Sequence, residues 1–481
     1  MTRRPRLLAL TVLALLNLVT IGAGAALAGQ LPGRLALWRI PVVAGRPLIR
    51  PGPLLASAGT AGPVPTSAGL TARLAGLLSA SVLGSHVAAA VGDPASGKVL
   101  FSYDGDSPAA PASTTKLGTA VAALTMLGPA ARFRTRVVAA AAGRGPLRII
   151  LVGGGDPTLA AGAAPGGGYP QPATLARLAA ATARVLRAQH RTTVRLGYDS
   201  SLFTGPRLAP GWPQSYVTTG DVTPISALEV DQGRLLPGGR PQDADDPGNL
   251  RPRSVRPAAD AAAAFGRFLA RDGISVAGTA SPVRAAAGDS RLAQVSSPPL
   301  TAMVEQMLTE SNNVIAENLA RQVALAAGQP ASFSGAAQAE TRVLRQLDAG
   351  TGVHLVDGSG LSPQDRIPPA TLVRLVALAA SARYPGLRAA ITGLPVAGFS
   401  GTLTRGQSVF GDVPPAARGI LRAKTGNLDT VVSLAGLVYD RDGTVLDFAF
   451  MADKVPGAAD LVMAAGAIDR LASALTGCGC R

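Results

Sequence analysis

The sequence predicts an α+β fold: an antiparallel sheet packed by helices, interrupted by an α+β insert domain. Three observations predict it. Helical patterns stand at both ends of the globular region, with hairpin strands about Asp442-Gly443 beside the last of them. A middle segment, residues 146–288, alternates strand and helix patterns in a texture of its own. The chain has 481 residues, 47% of them hydrophobic and 15% charged, which is too long for one ordinary domain and ample for a sizeable core.

Taken in order, residues 1–28 read as a signal peptide or membrane anchor. Arg3, Arg4 and Arg6 precede an uncharged run from Leu7 to Ala28 that ends in the small-x-small pattern Ala26-Leu27-Ala28. The run is also long enough to span a bilayer, so cleavage and retention both stay open. Either way the expectation is export, to the cell wall or the outer face of the cytoplasmic membrane. Residues 29–67 are rich in Pro, Gly and Ala and read as a linker.

The first segment of the main domain is expected over 68–145. Leu70, Leu74, Leu77 and Leu78 share one helical face, and "HVAAAVGD" and "KVLFSYDG" flank a hairpin turn. A helix follows from about Ser113 to Leu127. In the insert, "PLRIILV" and "TTVRLGYD" read as strands, and 172–189 and 258–271 as amphipathic helices. Residues 289–476 form the second segment of the main domain, closing on a helix over about 458–475. Residues 477–481, with Cys478 and Cys480, read as a frayed tail, unable to staple distant elements.

Composition excludes several classes. The formal charge of +16 suits an anionic partner, but the arginines are scattered and no nucleic-acid-binding signature accompanies them. His86, His190 and His354 are isolated, without an H-E-x-x-H pattern, and no G-x-S-x-G elbow is present. "VGGGDP" lacks the G-K-[ST] of a phosphate loop, and "DADD" at 243–246 reads as a solvated loop. No metal site or cofactor is expected.

The chemistry lies in lysines. All but four of the 45 basic residues are arginine, yet Lys116 follows Ser113 by three positions at a helix start. Positions i and i+3 share a helical face, so an amine there can reach the hydroxyl. A serine hydroxyl needs a base, and lysine can serve where arginine stays protonated. Read alone, the pair could equally be a helix cap. Ser311-Asn312-Asn313 and Lys424-Thr425-Gly426 change that reading. S-x-x-K, S-x-N and K-T-G occur in this order in penicillin-recognising serine enzymes.

With "LVGGGDPTL", "YDSSLFTGP", "PGW", "ESNNVIAENLARQ" and "DGSGLS", the chain resembles the D-alanyl-D-alanine carboxypeptidase/endopeptidase family, the class C low-molecular-mass penicillin-binding proteins, over residues 70–475. The resemblance implies a β-lactamase/transpeptidase-like catalytic domain with an insert between the first two motifs, here a trimmed one. It implies that Ser113 attacks the carbonyl of the penultimate D-Ala while Lys116 takes its proton. Ser311 would relay a proton to the leaving nitrogen, tuned by Lys424. Asn313 would hold the substrate backbone, and Lys424, Thr425 and Gly426 its terminal carboxylate. The backbone N–H groups of Ser113 and Asn427 would form the oxyanion hole. Peptidoglycan stem peptides are the implied substrates and β-lactams covalent inhibitors. A β-lactamase and a non-hydrolytic penicillin sensor are the other readings. In "VDGSGLS", Asp357 to Gly360 read as a turn near the cleft, with no direct catalytic role for Ser359, and Trp212 reads as packing.

Overall fold

The computed structural model describes residues 62–141, 145–162, 169–235, 251–404, 406, 409–411 and 413–481. The expected signal or anchor segment, most of the 29–67 linker and the "DADD" loop lie outside these. Among the described residues no helix is long and apolar enough to cross a membrane.

Thr66 caps the first helix, α1 (Ser67–Leu78), its hydroxyl accepting from Gly69 N, and Leu70, Leu74 and Leu78 bury one face. The hairpin follows as β1 (Val87–Asp93) and β2 (Lys98–Tyr103), its turn held by Asp93 accepting from Ala95 N at 2.9 Å. A tight turn over Ala112–Thr114 leads into α2 (Thr115–Leu127). Ten of its residues are buried, Lys116 among them, so α2 is a core helix and not an amphipathic one.

The middle of the chain forms a separate sheet from β3 (Arg134–Ala139), β4 (Leu147–Val152), β5 (Thr193–Asp199), the two-residue strands β6 (Ser275–Val276) and β7 (Ser281–Pro282), and β8 (Ser290–Ser296). The order is β6-β5-β4-β3-β8, with β7 also on β5; β4-β5 is parallel and β3 pairs antiparallel with β4 and β8. Helices α3 (Leu175–Ala188) and α4 (Pro257–Arg271) cover one face, Leu178, Leu186, Phe265 and Leu269 packing on Val137, Ile149 and Leu151. Strands β3 and β8 lie outside the 146–288 segment. Their sequences, RTRVVA and SRLAQVS, are half polar and carry little of the apolar signal that marks β4.

After β8 come α5 (Leu300–Thr309), α6 (Asn313–Ala326), α7 (Phe333–Gln346) and α8 (Pro369–Ala380). The C-terminal strands β9 (Arg422–Leu428), β10 (Val431–Tyr439) and β11 (Val445–Ala452) precede α9 (Leu461–Thr476). Together with the first hairpin they make a five-stranded antiparallel sheet, ordered β2-β1-β11-β10-β9. Helices α1 and α9 pack on one face, through Leu74, Ile468 and Leu471 against Leu434, Phe448 and Phe450. Helix α8 covers the other face. Burial on both faces explains why β10 and β11 read as nearly continuous apolar runs.

The tail is a correction. Residues 478–480 are not frayed: Cys478 is in the core beside α9 and is disulfide-bonded to Cys480, whose carbonyl accepts from Thr66 N at 2.7 Å. Apolar burial of Cys478 and this backbone bond tie the chain end to the start of α1.

Candidate active site

The site lies where the Ala112–Thr114 turn meets strand β9 and the start of α6. Ala112 has φ +46°, uncommon for a residue with a Cβ, and the turn is held from three sides. Ser433 on β10 donates to Pro111 O at 2.6 Å, and Thr114 Oγ1 donates to the same carbonyl at 2.7 Å. Gly360 presses from the third side: a Cβ there would sit 1.9 Å from Ala112 O. Gly426 is equally constrained, since a Cβ would meet Pro111 O at 2.7 Å and Ser113 N at 3.0 Å. Two glycines therefore let two backbones close onto the serine turn.

Lys116, the second residue of α2, is fully buried. Its Nζ lies 2.9 Å from Ser113 Oγ, 2.6 Å from Asn313 Oδ1 and 2.7 Å from Ser359 O. A neutral amine has two N–H donors and one lone pair. Asn313 Oδ1 and Ser359 O can take the donors, leaving the lone pair to accept the Ser113 hydroxyl proton. Burial pulls the amine down to about 7, against the attraction of Asp357, Glu317 and Asp365.

The second lysine faces the second serine. Lys424 Nζ on β9 donates to Ser311 Oγ at 2.9 Å and to Thr425 O at 2.8 Å. Burial, and then the charge of Lys116, hold its amine well below the usual lysine range. Ser311 has φ +58°, and Asn312 caps α6 by accepting from Ile315 N at 3.1 Å. Asn313 opens the helix toward Lys116, and its Nδ2 donates to Asp221 O at 2.9 Å. Thr425 Oγ1 is 2.6 Å from Thr402 Oγ1. Asn427 is exposed on β9, paired with Val432.

All three motifs thus meet in one place, and the structure adds supports that sequence reasoning missed. The loop at 357–362 was expected only as a turn, yet its Ser359 carbonyl binds Lys116. Asp357 fixes that loop, accepting from Gly360 N at 2.6 Å, Ser359 N at 3.0 Å and Ser362 N at 2.7 Å. Glu317 on α6 accepts from Gly358 N at 3.0 Å and Ser359 N at 2.9 Å, and Thr119 Oγ1 donates to Gly358 O at 2.6 Å. Trp212 packs edge-on against Phe333, as expected of a packing residue, but its Nε1 also donates to Asp357 at 2.8 Å. Burial raises Glu317 to about 7 and pushes Glu340 and Asp365 well above the carboxylate range. The spacing of "DGSG" could have signalled a built loop, but a backbone carbonyl acting on a lysine leaves no side-chain signature.

Among the described residues no cluster of His, Cys, Asp and Glu could hold a metal ion. Chemically the arrangement offers a serine hydroxyl with a poised amine on one side and a serine–lysine pair on the other. Strand β9 pairs with β10 on its inner edge, and beyond the bridge of Arg422 to Val396 no strand covers its outer edge among the described residues.

The chain is similar to known proteins over most of its length. The sequence profile of the D-Ala-D-Ala carboxypeptidase 3 (S13) family matches residues 70–254 and 235–475. A carboxypeptidase of Mycobacterium tuberculosis is 40% identical over 420 residues, covering 86% of this chain and 85% of that one. A D-alanyl-D-alanine carboxypeptidase of an Actinomadura species is 30% identical over 450 residues, covering 79% and 80%. The crystal structure of penicillin-binding protein 4 from Haemophilus influenzae superposes with a TM-score of 0.65 at 22% identity, covering 84% of this chain and 99% of that one. It shares the fold.

Proposed function

The chain belongs to the D-Ala-D-Ala carboxypeptidase 3 (S13) family, and from that footing we propose how its residues carry out serine D,D-peptidase chemistry on peptidoglycan stem peptides. The observation that carries the proposal is the buried Lys116 amine, 2.9 Å from Ser113 Oγ and lowered to about 7. A general base serves best when its pKa lies near the working pH.

In the forward half-reaction Ser113 Oγ bonds to the carbonyl carbon of the penultimate D-Ala while its proton passes to Lys116 Nζ. The negative charge that develops on the carbonyl oxygen is met by the N–H groups of Ser113 and Asn427; each such donor contributes about 3 kcal/mol in enzymes of known mechanism. The bond to the terminal D-Ala nitrogen then breaks, and that nitrogen takes a proton through Ser311 Oγ. The neighbouring Lys424 favours loss of that proton from Ser311. Asn313 and the open edge of β9 hold the extended substrate backbone. Thr425 and Lys424 receive the terminal carboxylate, with Gly426 giving it room. Water cleaves the acyl-Ser113 ester to complete the turnover. A β-lactam enters as the substrate does, and its ring opens onto Ser113.

The reading also requires the domain to lie where peptidoglycan is. The basic start and the uncharged run to Ala28 support export, followed either by cleavage or by retention as an anchor.

Digestion of purified peptidoglycan with product analysis tests the proposal, with Ser113→Ala as control. Release of D-Ala from pentapeptide stems, lost in the variant, is the expected result, and loss of cross-linked dimers would add endopeptidase action. Penicillin labelling without any D-Ala release would sink the peptidase reading in favour of a sensor. Rapid turnover of the penicillin itself would instead favour a β-lactamase.

A further inference from the structure

A cavity of about 470 Å³ opens between the end of β5, the β7 segment and helix α6. It shares no residue with the Ser113–Lys116 cleft, and its size is that of a small-molecule pocket. Three guanidinium groups line it: Arg207 and Arg284 at an exposed rim, and Arg321 buried at the back. One carboxylate, Asp199, faces them, and it is already engaged by Ser201 N and Ala285 N, both at 2.8 Å. No other ionisable acid or base lines the space apart from Tyr198, so its walls carry an excess of positive charge.

Arg321 is the informative group. It is 1% exposed, with Nη1 3.3 Å from Glu317 Oε2 and its guanidinium 4.0 Å from the centre of the Phe333 ring. Its Nη2 is buried with no hydrogen-bond partner. A buried guanidinium edge left unpaired is costly, and such an orphan calls for a partner of its own. The planar fork of arginine matches the paired oxygens of a carboxylate or phosphate. We propose that this cavity is a binding site for a small oxyanion-bearing ligand, held at the back by Arg321 and at the mouth by Arg207 and Arg284.

The site would sit two turns along the same helix from Asn313, on the opposite side of Glu317 from the loop that holds Lys116. Its occupant would therefore bind a fixed frame and would not need to enter the cleft.

Calorimetric titration of the full chain tests the proposal, using citrate as the carboxylate probe and inorganic phosphate as the phosphate probe. Sodium chloride keeps the ionic strength constant. The expected result is saturable binding of at least one probe at one site per chain. Its affinity should fall about tenfold or more in Arg207→Ala/Arg284→Ala, a loss of about 1.4 kcal/mol or more. The cleft variant Thr425→Ala should leave it unchanged. Binding of citrate alone assigns a carboxylate, and binding of phosphate alone assigns a phosphate. Absence of saturable binding by both probes would overturn the proposal. So would an affinity that survives the double arginine change or disappears in Thr425→Ala. Penicillin acylation of the rim variant, expected to match the parent, verifies that it is folded.

Discussion

At Lys116 the protonation state decides everything, because a protonated amine has no lone pair for the Ser113 proton. The acylation rate of benzylpenicillin should therefore rise with pH along a limb centred near 7, where the amine loses its charge. A rate flat from pH 5 to 8 would remove Lys116 from the role of base. Lys116→Arg sharpens the test, since it keeps the positive charge but cannot give up its proton. Acylation should drop at least a hundredfold, the size of a general-base contribution. That lysine was legible in a chain that otherwise prefers arginine, and so was Ser113 beside it, whereas Asn313 was expected at the substrate backbone and not as the acceptor for Lys116. The Ser359 and Asp221 carbonyls were not, because any residue supplies a carbonyl and only the folded path aims it.

Among elements, the decisive contact is between strand β9 and the turn that starts α2. Gly426 lets the strand backbone lie against Ser113 N. In Gly426→Ala the new methyl group must push β9 outward, which displaces Asn427 and Thr425 together. The protein should keep its circular dichroism and lose most of its penicillin acylation; normal acylation would show that the strand yields elsewhere. Helix α2 was legible in outline, from its S-x-x-K start to its end at Leu127. Its burial on all sides was not, because an Ala-rich helix looks much the same whether it lines a surface or crosses a core. Strands β3 and β8 escaped for the opposite reason: hydrogen-bonded partners make them strands, and their side chains say little.

At the scale of the whole molecule, the sheet, the helical layer and the insert hold the three motifs in register across distances that sequence spacing cannot convey. The first described element is α1, which Thr66 caps while bonding to Cys480. A chain beginning at residue 62 should accordingly be acylated by penicillin at the rate of the full chain, and a slower rate would give the preceding residues a part in the fold. The ordered motifs carried the family from sequence alone, and the folded chain brings their residues together. What joins them was hidden in Trp212, which sequence reasoning took for packing. Its Nε1 spans from the segment ahead of α4 to Asp357, and so to the loop on Lys116. Trp212→Phe should preserve the contact with Phe333 while costing about 1 kcal/mol of stability from the lost hydrogen bond. Slower acylation would accompany it if the bond also steadies the loop, and denaturant unfolding alongside acylation kinetics separates the two effects. The indole has a further use. The chain has two tryptophans, Trp38 and Trp212, and the second donates to Asp357 of the loop on Lys116. In a Trp38→Phe background the emission of Trp212 becomes an optical signal from the catalytic loop. Nucleophile, lysine and loop could then be watched during a single turnover without attaching any label.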